Sequence, residues 1–127
     1  MLTLALILAG LAAAIHVYIF YLESVAWTRP ATRATFSTTE EEAAATRGMA
    51  YNQGFYNLFL ALVTIAGIVA SAQGSGAVGA ALLIAGCGSM AAAAVVLIIS
   101  DKKYVPAALK QGTLPALALV ALAVSAL

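Results

Sequence analysis

Four apolar stretches, each long enough to cross a lipid bilayer, constrain this chain more than any motif in it. A hydrocarbon core of about 30 Å takes roughly 20 residues of α-helix. Residues 2–27, 47–72, 77–100 and 105–127 each reach that length. Within lipid, backbone polar groups must be satisfied inside the protein, so such segments are expected to be helices. The fold expected is all-α, a four-transmembrane-helix antiparallel bundle forming a single domain over residues 1–127. Composition agrees. Hydrophobic residues make up 64% of the chain and charged residues 9%, against about 25% charged in a soluble domain.

The same numbers exclude several classes of function. A net charge of +1 offers no electrostatic footing for nucleic acid. The single cysteine, Cys87, lies inside an apolar block and reads as a small packing residue. One histidine, one cysteine and scattered acids give no metal-ligand set. No phosphate loop, nucleophile elbow or dinucleotide fingerprint is present, so neither metal nor cofactor is expected. The apolar start lacks the basic n-region of a cleaved leader, since no Lys or Arg precedes Arg29, and it is expected to stay as a helix.

The connections differ in kind. Gln73, Gly74, Ser75 and Gly76 form a tight uncharged turn that makes helices two and three a hairpin. Pro106 suits the first turn of the last helix, and Pro115, deeper in, is expected to bend it. The first loop is the long one. Trp27 suits an interface, and Thr39 with Glu42 reads as a capping box that opens a short surface helix feeding helix two. Arg29, Arg33 and Arg47 flank this loop, and Lys102, Lys103 and Lys110 flank the third. The positive-inside rule then makes loops one and three cytoplasmic and places both termini outside.

Polar residues within the spans gather toward that same end. His16, Phe20, Glu23 and Trp27 fall on one stripe at 100° per residue, with His16 about 10 Å deeper than Glu23. Asn52, Gln53, Tyr56, Asn57 and Thr64 fall within an arc of about 140°. If both stripes face inward, they line a cytoplasm-facing polar pocket, with Gln111 of helix four beside it. His16 and Glu23 are the candidates for acid–base chemistry, too far apart for contact without a bridge such as water or Asn52. The alternative for Glu23 is a partner such as Arg29 or Lys110, and for His16 a backbone carbonyl. Asn52, Gln53 and Asn57 suit either ligand binding or hydrogen bonding between helices. Gly79, Gly86 and Gly88, among many alanines, permit close helix packing and self-association. The outer half offers little polar lining beyond Thr64 and Ser89, which argues against a channel through one subunit.

Two runs carry a resemblance. Phe20 to Thr28 (FYLESVAWT) and Asn52 to Ala61 (NQGFYNLFLA), with Gln111-Gly112 and Pro115-Ala116, resemble the motifs of domain-of-unknown-function family 1304. That resemblance covers nearly the whole chain. It implies a four-helix bacterial integral membrane protein, hence a place in the bacterial cytoplasmic (inner) membrane. The family's recurring polar residues match Glu23, Asn52, Gln53, Asn57 and Gln111; it implies no activity. Three readings stand: a protein that binds or helps move a small or lipophilic ligand; an accessory subunit of a larger membrane complex; and a membrane enzyme of isomerase or proton-transfer type using Glu23 and His16. Membrane lipid is an expected partner, as is a homo-oligomer or a larger assembly.

Overall fold

The computed structural model describes residues 1–126; Leu127, with which the fourth apolar stretch ends, lies outside the described residues. Helix α1 spans Leu2–Phe20 and runs on as a π-helical turn over Tyr21–Val25, closed by the Ala26 N–H donating to Tyr21 O at 3.0 Å. The first apolar stretch therefore stops being helical before Trp27. Arg29 then adopts an extended backbone, and Pro30 starts a short helix, α2, over Pro30–Thr35. Proline suits this first position because its missing N–H would have no partner there anyway.

Helix α3 covers Glu40–Ala72 without a break, so the surface turn and the second span are one helix. Its start is a complete capping box. The Glu42 N–H donates to Thr39 Oγ1 at 3.1 Å, and the Thr39 N–H donates to Glu42 Oε2 at 2.9 Å. Both satisfy amides that have no partner within the helix. Its end is a Schellman turn. Gly74 takes φ +85°, which glycine adopts at little cost. The Ser75 N–H donates to Ala70 O and the Gly74 N–H to Ser71 O. Helix α4 follows at once, over Gly76–Ser100. Asp101 caps a single 3-10 turn, Lys102–Tyr104, by accepting from the Lys103 N–H. Helix α5 then runs over Val105–Ser125, with Pro106 in its first turn and Pro115 buried inside it.

The four long helices form an up-down-up-down ring in which α3 and α5 flank α1, and α4 closes the ring between them. All four are long and apolar enough to cross a membrane. The faces they bury are built from small residues. On α3 these are Ala43, Ala50, Gly54, Asn57, Ala61, Thr64 and Gly67. On α1 they include Ala5, Ala9, Ala12 and Ala13. Lipid provides no hydrophobic drive between helices, so close backbone approach and dispersion hold them together. Gly86 lies against Thr64, and a side chain at Gly67 would meet Leu83 of α4. In the half of the bundle away from the first loop, Ala9, Leu83, Cys87 and Ala118 form a closed apolar layer.

Candidate functional site

The first loop, the end of α4 and the start of α5 share one end of the bundle, and the six basic residues lie there. At this end α1 and α3 are locked together by a sequence of contacts. Gly54 faces the Phe20 carbonyl and Ser24, and any Cβ there would collide with both. Ser24 Oγ donates to Tyr51 O at 2.8 Å. Further from the membrane, Trp27 Nε1 donates to Ala43 O at 3.1 Å and to Thr46 Oγ1 at 3.2 Å. The π turn is what lets this happen. One extra residue in the turn re-aims the side chains beyond it, and such turns recur at functional sites.

One turn deeper, Asn57 Nδ2 donates to Glu23 Oε2 at 2.7 Å and also to Gln53 O at 3.2 Å. Asn57 is buried and Glu23 half-buried. A carboxyl oxygen has capacity for more than one donor, so this contact orients Glu23 without exhausting it. Beside it lies a cleft of about 140 Å³ lined by Glu23, Ser24, Val25, Trp27, Thr28, Arg47 and Tyr51. One water needs roughly 10–15 Å³ of such space for its centre, so the cleft has room for several waters or a small polar group. Arg47 is exposed on its wall. The ion pair found among the described residues is Lys103 with Asp101, at 3.8 Å, so Glu23 and Arg47 share a cleft without pairing. Arg29 turns elsewhere, donating from Nη1 to Tyr21 Oη at 2.9 Å.

The residues singled out from the sequence separate into two sets. Glu23 and Asn57 meet. Asn52, Gln53 and Tyr56 do not join them: all three are exposed, Tyr56 at 58%. The reason is angular. The buried seam of α3 passes through Gly54, Asn57, Ala61 and Thr64, which lies to one side of the polar arc rather than at its middle. Asn52 consequently points about opposite to the seam, and it cannot bridge His16 to Glu23. Depth makes this arrangement inexpensive. At 1.5 Å per residue α3 is about 50 Å long, and residues 53–72 already supply the roughly 20 that cross a bilayer. Asn52 and Gln53 therefore lie near the membrane boundary, where an exposed amide can reach water.

His16 is buried at 2% exposure, and its Nδ1 donates to Ala12 O of its own helix at 2.9 Å. Gln111 is half-buried on α5, between Lys110 and the buried Gly112. Neither makes a hydrogen bond to Glu23 among the described residues. No group of three or more His, Cys, Asp or Glu that could hold a metal occurs among the described residues. Of the seven cleft residues, Glu23 is the one the sequence offers as a site residue; Arg47 bears there on topology and Trp27 on the interface, and Ser24, Val25, Thr28 and Tyr51 are not among its candidates. A signal existed for Ser24, since Gly54 one turn before Asn57 marks a close approach of backbones. Nothing in the sequence shows the π turn.

The model of one protein family, described as a protein of unknown function (DUF1304), matches residues 10–123. No curated protein matches the chain. No solved structure matches it.

Proposed function

The chain belongs to the DUF1304 family, whose description assigns no activity, and from that premise we propose that it is a membrane protein that holds the polar part of a small amphiphilic molecule in the cleft beside Glu23. The observation that carries this reading is the Glu23–Asn57 hydrogen bond at the wall of that cleft. A carboxyl group at the edge of hydrocarbon is costly and is characteristically functional. Here one buried amide orients it while the rest of its capacity faces open space. Val25, 64% exposed at the rim, gives the cleft an apolar border through which a hydrocarbon tail would extend.

In this reading the protein resides in the bacterial cytoplasmic membrane. The cleft opens at the cytoplasmic interface, because Arg29, Arg33, Arg47, Lys102, Lys103 and Lys110 all belong to that end. Mass spectrometry of small molecules that copurify with the detergent-solubilised chain tests the reading. An amphiphile is expected to accompany the wild type and to be depleted at least fivefold in Asn57→Leu. Equal amounts in both would remove the cleft from the binding function.

A second reading, an accessory subunit of a larger membrane assembly or of a homo-oligomer, draws support from Asn52, Gln53 and Tyr56. Their common exposure on α3 leaves polar groups on an outer surface that a neighbouring chain would cover. Crosslinking through cysteines placed at Asn52 and Tyr56 distinguishes the two. Capture of a protein partner would support the assembly, and monomeric chain alone would count against it.

A further inference from the structure

The cleft carries one acidic and one basic side chain, on different walls, and the two are not paired with each other. Glu23 comes from the π turn at the end of α1 and Arg47 from the third turn of α3. We infer that the molecule held there is a zwitterion bearing an ammonium group and a phosphate, the pattern of an aminophospholipid headgroup or its free phosphate ester. This rests on the reading of the cleft as a ligand site and names the ligand's chemical class.

The argument is one of charge and shape. A ligand with only a positive charge would satisfy Glu23 but lie beside Arg47, and a purely anionic one would lie beside Glu23. Like-charge juxtaposition in a partly desolvated site is what excludes wrong partners. A molecule with both charges meets both walls. Guanidinium suits phosphate because its planar fork donates two parallel hydrogen bonds. Asn57 donates to Glu23 through one oxygen, and the carboxyl group retains acceptor capacity for an ammonium. The neighbouring side chains do not compete. Arg29 is engaged with Tyr21. Glu42 is engaged with Thr38 and Thr39. The Trp27 N–H is engaged with Ala43 and Thr46, so its indole offers the cleft an apolar surface. A cleft of about 140 Å³ has room for a small headgroup.

Binding to the full-length chain in detergent, by native mass spectrometry, separates the cases. The probes are dihexanoyl phosphatidylethanolamine, dihexanoyl phosphatidylglycerol, dodecylamine and free phosphoethanolamine. The phosphatidylethanolamine is expected to bind at least tenfold more tightly than the phosphatidylglycerol or the amine. Glu23→Gln, which keeps an acceptor for Asn57, should erase the preference over phosphatidylglycerol. Arg47→Gln, at an exposed position, should erase the preference over dodecylamine. Free phosphoethanolamine binding as tightly as the lipid identifies a soluble source, and much weaker binding identifies the lipid; both uphold the zwitterion. Equal binding of lipid, anion and amine by the wild type, or unchanged preferences in both variants, overturns it while leaving a ligand site. No binding of any probe to the wild type overturns the zwitterion and the binding function together.

Discussion

Glu23 keeps its place at the edge of the hydrocarbon because a single amide answers it. Asn57 is held by its own helix through Gln53 O while donating to Glu23 Oε2 at 2.7 Å, so the donor arrives already oriented. Removing one partner of such a contact is costlier than replacing it with a neutral equivalent, because the survivor keeps its desolvation penalty. Asn57→Leu should therefore lower stability by about 1–3 kcal/mol, whereas Glu23→Gln should change it by less than about 1 kcal/mol. Thermal unfolding of the two variants in detergent reads the asymmetry, and equal effects would show that the amide does not hold the carboxyl group. Polarity alone groups Asn57 with Asn52, Gln53 and Tyr56 and does not choose the inward face. In lipid the small residues choose it. Gly54 allows the close approach to α1, and Asn57 and Ala61 continue the same buried seam. Asn52 and Gln53, beyond the apolar length of α3, need no internal partner.

At the scale of elements, two local devices build the site, and they differ in how far the sequence reveals them. The capping box at Thr39 and Glu42 and the Schellman turn at Gly74 are written in residue type, and both form. Four apolar lengths likewise mark four helices. The π turn over Tyr21–Val25 has no such signature in residue type, although Ser24 within it packs on Gly54 and Tyr51. Helical bookkeeping at 100° per residue loses phase across it. Gly54→Ala tests the packing. The new Cβ would lie 3.0 Å from Ser24 N and 3.1 Å from Phe20 O, main-chain atoms that yield only if the helices part. Overpacking of this kind costs about 1–3 kcal/mol, visible as a lower unfolding temperature, and ligand binding should fall with it. Deleting Ser24 tests the turn itself. The turn accommodates one extra residue, so without that residue the segment should revert to α-helix with Trp27 still directed at Ala43 and Thr46. Trp27 is the chain's single tryptophan, so its fluorescence should keep its wavelength. A shift to the red would mean that the segment holds its phase by other means than the extra residue.

Across the whole molecule, the two ends of the bundle do opposite things. The end with the first loop is opened by the length of α3, which outruns the bilayer and carries Arg47 and Tyr51 beside Glu23, while Trp27, just past the turn that ends α1, completes the wall. The other end is sealed where Ala9, Leu83, Cys87 and Ala118 meet, and a polar path through one subunit would have to break that layer. The arrangement therefore suits a molecule that enters and leaves from one face or sideways through the lipid, past Val25. The orientation proposed from the basic residues makes that face the cytoplasmic one, and it can be measured without knowing the ligand. Cys87 is buried at 1% exposure, so the unmodified chain should be nearly silent to a membrane-impermeant maleimide. Ser75→Cys, in the α3–α4 turn, should be labelled in intact cells. Glu41→Cys, exposed at the start of α3, should be labelled only after the membrane is opened. The reverse pattern would turn the bundle over and place the Glu23 cleft on the outer surface. A ligand would then be collected from outside the cell, and the positive-inside argument would fail for a chain in which all six basic side chains lie at one end.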